Sequence, residues 1–191
     1  MAGCVRPTVY QAIYNVLTRT IEDELIPACH RYGLDIVAYN PLAGGLLSGR
    51  ITSKAVAPDE GRFSGPAGSF GAMYRGRYFK DSIFQALQLI EKAVERHGDG
   101  LTMTEVALRW LVHHSALNTT DGNAGIIIGV SSLDHLGSNL DHIGQGPLPG
   151  SLVNVLNEAW RITKSDVVKY WHFALQYQYD TRQVLFGSKS D

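Results

Sequence analysis

The sequence predicts an α/β fold built on a parallel sheet. Three short apolar segments, 8–15 (TVYQAIYN), 35–39 (DIVAY) and 124–130 (AGIIIGV), sit between turn signals, and stretches of helical period separate them. Right-handed crossovers between such strands would align their carboxyl ends on one edge, where α/β folds hold ligands. A chain of 191 residues, 45% hydrophobic and 18% charged, is long and apolar enough for one domain with a sizeable core.

The first strand, 8–15, is rich in β-branched and aromatic residues and follows Pro7. Gln11 is its polar exception, suited either to a buried hydrogen-bond network or to a ligand contact. A helix is expected over 18–32 from the stripe Ile21, Leu25, Cys29 and Tyr32, with Thr20 as cap, three acidic residues near its start and Gly33 as its stop. Pro27 argues for a kink or a delayed start. Segment 35–39 reads as a buried parallel strand that Asn40-Pro41 terminates.

Residues 51–79 show no period and are expected to be irregular. Their large apolar residues (Phe63, Phe70, Met73, Tyr74, Tyr78, Phe79) are interleaved with Arg62, Arg75 and Arg77. That mixture suits a lid over a planar or anionic ligand, or a loop packing its rings on the body. Residues 81–97 carry Ile83, Leu87, Ile90 and Val94 at helical spacing, and Thr102 to Glu105 form a capping box for a helix reaching His114. His113 and His114 are adjacent, so they diverge by about 100° on a helix and suit surface or capping roles better than a shared metal. The strand at 124–130 reads as fully buried, and Ser132 can cap a helix with an apolar face of Leu133, Leu136 and Leu140. A last amphipathic helix is expected at 151–163, followed by an aromatic tail, 164–191, that belongs to the same domain.

A net charge of −1 gives no global field for nucleic acid or an anionic membrane, and no apolar run approaches the roughly 20 residues of a span. Cys4 and Cys29 stand in no metal or disulfide spacing, and the N-terminus lacks a signal-peptide apolar region, so a cytoplasmic protein is expected.

Two stretches carry ligand chemistry. After the second strand, Leu42 to Arg50 combines three glycines with Ser48 and Arg50, and glycine-freed amides beside a hydroxyl and a cation suit a phosphate-bearing ligand. The bland alternative is a tight connection. At the end of the third strand, Ser131 and Ser132 open a helix on which His135 and Asn139 share a face, another arrangement that suits an anion.

Together VYQAIYN, AYNPLAGGLLSG, GRF followed by MYRGRYF, ALRWLVHHS, IIIGVSSLDHLGSNL and GPLP resemble the aldo-keto reductases, nearest the branch of aflatoxin-aldehyde and succinic-semialdehyde reductases, with a fungal-type ending in KYWHFALQYQYDT. The resemblance covers nearly all of residues 5–187. It implies the C-terminal part, about strands 6–8 with their helices, of a (β/α)8 barrel plus a C-terminal extension, in an NADPH-dependent reductase of aldehydes and ketones. It further implies that Gln11 bonds the nicotinamide amide and that Tyr39 lies near the ring. Asn40, Pro41, Leu42, Gly44, Gly45, Leu46, Ser48, Gly49 and Arg50 would wrap the pyrophosphate, with Arg62 adding a phosphate contact. Ser131, Ser132, His135 and Asn139 would meet the 2′-phosphate and adenine, and Tyr74 and Arg77 would line the substrate side. His135 stands where relatives usually carry a longer Arg or Gln, which leaves open how strongly NADP would be preferred over NAD.

No position matches the family's Asp, Tyr, Lys and His catalytic tetrad, because the resemblance begins at the sixth strand. The chain therefore reads as one partial reductase domain, 1–191, inactive alone, whose partners are a small aldehyde or ketone and either the missing N-terminal half or further copies of itself. A non-catalytic assembly protein derived from a reductase is the alternative.

Overall fold

The computed structural model describes residues 5–55, 58–117, 119, 122–170 and 180–187. Strands β1 (Val9–Ile13), β2 (Asp35–Tyr39) and β3 (Ala124–Ile126) form one parallel sheet in that order. The helices are α1 (Leu25–Tyr32), α2 (Phe70–Tyr78), α3 (Asp81–His97), α4 (Met103–His113), α5 (Leu133–Ile143), α6 (Gly150–Thr163) and α7 (Thr181–Phe186), with a 3-10 segment at Ala43–Ser48. The α/β class and parallel sheet are as expected. Register pairs Val9 with Asp35 and Ile13 with Tyr39, so β1 and β2 finish level with one another.

Three elements differ from the sequence reading. Helix α1 starts at Leu25 rather than near Thr20. A start at Thr20 would set the Pro27 ring against the Asp23 carbonyl and remove a helix hydrogen bond; the later start puts Pro27 in the first turn, where no N–H is required. Gly33 ends α1 as expected, left-handed at φ 65°. Within the supposedly irregular 51–79 lies α2, whose Ser69 side chain accepts from the Ala72 N–H at 3.2 Å. Gly71 and Gly76 mask its period, but Gly71 is there for contact: a Cβ would sit 1.6 Å from the Ser64 carbonyl oxygen. Finally, β3 stops at Ile126 and is only half-buried, with Ile127 and Val130 exposed. It is an edge strand whose one partner, β2, ends at Tyr39, so the ladder runs out after the Ile127 N–H reaches the Ala38 carbonyl at 2.8 Å.

The core lies between the sheet and the helices, with α3 packed on α6 and α4 on α5. Its least expected member is Arg19, 6% exposed. Its guanidinium lies 4.1 Å from the centre of the fully covered Trp110 ring. It donates to the Val16 carbonyl (3.2 Å), the Asn157 side chain (2.8 Å) and the Leu156 carbonyl (2.8 Å). Burial pulls its pKa down to about 10. Beside it, the Tyr14 hydroxyl donates to Glu22 at 2.5 Å and accepts from the Ala116 N–H at 3.0 Å.

Thr102 caps α4, accepting from the Glu105 N–H at 3.1 Å. At the far end of α4 the two histidines act on backbone. His113 Nε2 is 2.7 Å from the Gln145 carbonyl, and His114 Nε2 accepts from the Leu148 N–H at 2.8 Å. Arg109 joins them, donating to the carbonyls of Gly146 (2.7 Å) and Pro147 (2.9 Å). This trio fixes the GPLP turn that leads into α6.

Helix α5 is turned differently from the expected leucine face. Leu133 and Leu140 are 84% and 54% exposed, whereas Asn139 is buried. The face it gives to α4 includes His142, 3.7 Å from Glu105, and of the leucine face only Leu136 is partly covered. The sheet shows the same one-sidedness. Ile36 and Ala38 of β2 are buried, but Val37 and Tyr39 are only partly covered, and Val9 and Gln11 across the ladder are exposed. Parallel sheets are normally covered on both faces. In the tail, Tyr170 donates to Glu24 at 3.0 Å, while Trp171, Phe173, Tyr177 and Tyr179 lie outside the described residues, as do Cys4 and part of the polar turn 118–123. Among the described residues no helix is long and apolar enough to cross a membrane.

Candidate functional site

The level ends of β1 and β2 open onto a turn that the sequence builds from left-handed residues. Asn40 has φ 62°, a conformation asparagine tolerates better than most residues, followed by Ala43 at 51°, Gly44 at 71° and Gly45 at 106°. Asn40 organises this turn. Its carbonyl accepts from the Ala43 N–H (3.0 Å), its Oδ1 accepts from the Gly44 N–H (2.6 Å), and its Nδ2 donates to the Tyr78 hydroxyl (2.8 Å). Further on, Gly45 and Leu47 donate to the Leu42 carbonyl and Gly49 to that of Leu46.

These bonds correct one part of the sequence reading. The glycines do not leave the amides of Ala43, Gly44, Gly45, Leu47 and Gly49 free for an anion; they let the chain coil on itself. Gly44 has a second use, since a Cβ there would lie 2.9 Å from the Tyr74 ring and 3.1 Å from Phe63.

Segment 62–78 forms the opposite wall. Phe63 is 1% exposed and gathers Tyr74, Tyr78 and Phe79 at ring-centre distances of 5.7, 6.2 and 5.2 Å. Arg75 staples the entry to α2 by donating to the Phe63 carbonyl and, at 2.7 Å, to that of Gly65. The Tyr74 ring has the guanidinium groups of Arg62 and Arg77 each 5.8 Å from its centre. Among the described residues, no carboxylate lies within ion-pair distance of Arg62.

Between these walls lies a cleft of about 260 Å³. It brings together Tyr39, Asn40, Pro41, Leu42, Gly44 and Gly45 from the turn with Arg62 and Tyr74, and it adds Ile127, Ile128 and Gly129 after β3. The sequence reading missed those last three, taking them for strand interior; Gly129 near the strand's end was the available signal. It also missed Asn15 and Tyr78, whose polar atoms lie behind the turn.

The remaining candidates lie around the cleft rather than in it. Gln11 is exposed on β1, opposite Val37 on the more open face of the sheet. Leu46 is fully buried, Ser48 donates to the Gly45 carbonyl at 2.7 Å, Gly49 is left-handed at φ 76°, and Arg50 is exposed. Arg77 is 9% exposed beneath Tyr74. At the start of α5, Ser132 accepts from the His135 N–H at 3.2 Å and Ser131 Oγ is 3.1 Å from His135 Nδ1, while Asn139 is buried one turn on.

Burial pushes the Tyr78 hydroxyl up to about 12, against smaller lowering effects from the Asn15 amide and the Arg77 charge, so it stays a neutral hydrogen-bonding group. Tyr14 is raised by burial and by Glu22. His114 is lowered, chiefly by burial, with His113 and Arg109 adding repulsion. Among the described residues no group of three His, Cys, Asp or Glu side chains could hold a metal ion.

Comparison with known proteins adds a lineage to this geometry. The pattern of the Aldo/keto reductase family matches residues 1–161. The chain is 43% identical over 173 residues to aflatoxin B1 aldehyde reductase member 2 of Rattus norvegicus, covering 88% of this chain and 46% of that protein. It is 40% identical to aldo-keto reductase family 7 member A3 of Homo sapiens, covering 88% and 51%. Among solved structures it resembles aldo-keto reductase AKR11C1 from Bacillus halodurans in its holo form, with a TM-score of 0.53 and 19% identity over 87% of this chain and 46% of that one. The chain thus spans about half the length of the relatives it matches.

Proposed function

The chain belongs to the aldo/keto reductase family of oxidoreductases, and on that premise we propose that it is the cofactor-holding part of an NADPH-dependent reductase of aldehydes or ketones. The observation that carries this reading is Arg62, a guanidinium on the cleft wall with no carboxylate in ion-pair reach among the described residues, in a cleft that also takes in the partly covered Tyr39. A cation and aromatic rings that share the lining of one cleft with glycines suit a phosphate and a flat heterocycle together.

The donor set fits a nicotinamide dinucleotide. The cleft is smaller than the roughly 300–1,000 Å³ of a typical ligand pocket, so it suits one end of such a molecule. The other end would extend past residues 127–129 to Ser131, Ser132, His135 and Asn139, where the start of α5 favours negative charge. When bound, the cofactor supplies a hydride to a carbonyl carbon. The chain's own residues bind and orient: Tyr39 and Gln11 at the nicotinamide end, the Asn40–Arg50 turn and Arg62 at the phosphates, Tyr74 and Arg77 beside the substrate.

The open sheet face and the exposed Leu133 and Leu140 of α5 support reading the chain as three βα units of a (β/α)8 barrel, a single partial domain that includes the tail. No residue here takes the tetrad's role of proton donor, so the chain alone is inactive, and a cytoplasmic location accords with its composition. Titration of NADPH fluorescence with the 191-residue chain tests the binding half. Saturable binding that Arg62→Ala weakens about tenfold, the worth of one charged hydrogen bond, is expected; binding indifferent to Arg62 would refute the assignment. Reduction of 4-nitrobenzaldehyde at about 1 s⁻¹ or faster by this chain alone would refute the inactive-part reading.

A further inference from the structure

We infer that Tyr78 is a positioning residue for the cleft: its buried hydroxyl fixes the Asn40 amide so that Asn40 Oδ1 holds the Gly44 N–H and shapes the turn lining the cleft. The inference rests on the cofactor reading above for its ligand, but its geometry is independent of it. The Gly44 N–H needs an acceptor at 2.6 Å, so the oxygen of the Asn40 amide faces Gly44 and the nitrogen faces Tyr78 at 2.8 Å. Asn15, fully buried, donates from one Nδ2 to the Asn40 carbonyl (3.0 Å) and, more weakly, to the same Tyr78 hydroxyl (3.4 Å). Its own Oδ1 accepts from the Leu17 N–H at 3.0 Å. One phenolic oxygen thus joins the end of β1, the left-handed turn after β2 and the last turn of α2.

Two features make this more than packing. Asn40 sits at φ 62°, where the turn has no regular ladder to hold it, so its side-chain bonds define its conformation. Tyr74 lies one helical turn before Tyr78, with the rings 6.2 Å apart, and rests where a Gly44 Cβ would be. Both walls of the cleft therefore meet at Tyr78, whose ring packs on Tyr74 and whose hydroxyl bonds the turn. Removing that hydroxyl leaves the Asn40 Nδ2 without its acceptor, and the amide is free to rotate away from Gly44.

Tyr78→Phe is the test, with Asn40→Gly as the second variant because glycine accepts the positive φ. NADPH and adenosine 2′,5′-bisphosphate are titrated in parallel, the second probe carrying the adenosine with its 2′- and 5′-phosphates and lacking the nicotinamide end. Tyr78→Phe is expected to weaken NADPH about five- to tenfold, leave the bisphosphate within about twofold, and add little to Asn40→Gly. Equal losses for both probes, or additive losses in the double variant, would show a merely structural hydroxyl. Hydrogen exchange at the Gly44 amide reads the turn without any ligand, and about tenfold faster exchange is expected in Tyr78→Phe. Failure of the wild-type chain to bind NADPH would remove the cofactor reading alone, whereas unchanged Gly44 exchange would overturn the role of Tyr78.

Discussion

Gly71 and Gly76 sit in the same helix, and replacing each with alanine should change stability in opposite directions. At Gly71 the new methyl would meet the Ser64 carbonyl oxygen at 1.6 Å and its carbon at 2.7 Å, against about 3.4 Å for an ordinary contact. The obstacle is backbone, so no rotamer change relieves it; α2 and loop 61–69 must part by more than an ångström. Arg75 bridges the same seam through the Phe63 and Gly65 carbonyls and would be strained with it. Overpacking of this kind costs about 1–3 kcal/mol, with about 1 more from the loosened staple, less about 1 regained in helix propensity. A net loss of about 2 kcal/mol follows. At Gly76 a Cβ meets nothing within 4 Å, so only the propensity gain of up to about 1 kcal/mol remains. With a urea slope of about 2 kcal/mol/M, the midpoint should fall by about 1 M for Gly71→Ala and rise by up to about 0.5 M for Gly76→Ala. Circular dichroism gives the midpoints, and hydrogen exchange across Phe70–Tyr78 shows whether α2 opens alone. Equal midpoints for the two variants, with α2 equally protected, would refute the close-approach argument.

Arg19→Met keeps much of the stem that covers Trp110 but strips donors from the Val16 and Leu156 carbonyls and from Asn157; a loss of about 2–4 kcal/mol in urea is expected. Thr102→Ala removes the α4 cap and should cost about 1 kcal/mol, most of it recovered by Thr102→Ser. His114 has a folded pKa below its unfolded value, so the unfolded chain binds the extra proton. Stability is therefore present above about pH 6.5 and lost as pH falls through the lower folded value. NMR titration should show His114 protonating below the ordinary range, and His114→Gln should flatten the acid limb of the stability profile.

The fold was legible wherever period and punctuation agreed. β2, α3 and the Thr102 cap of α4 fall where their patterns put them, because each has a clean boundary: stops at Asn40-Pro41 and Gly98, and a start at the capping box. α2 was hidden because two glycines break its period, of which Gly71 serves contact rather than a turn, and local sequence does not encode a carbonyl approaching from Ser64. The start of α1 was misplaced because an apolar stripe continues through residues buried in turns, as Ile21 is. At the site, the turn and Arg62 were legible by residue type. Tyr78 and Asn15 were not, since the contacts that matter join residues 15, 40 and 78 through space.

Arg19 also bears on the order in which this molecule is made. Two of its three acceptors are residues 156 and 157, separated from it by most of the chain, so as synthesis proceeds from the N-terminus the guanidinium waits for α6. Until that helix docks, the loop after β1 cannot close over its charge, and the whole intervening chain must be gathered before the bond rewards it. The clamp is thus a late checkpoint. A nascent or clipped chain ending before α6 would leave the Arg19 guanidinium without its Leu156 and Asn157 acceptors, a state suited to capture by folding helpers and to proteolysis.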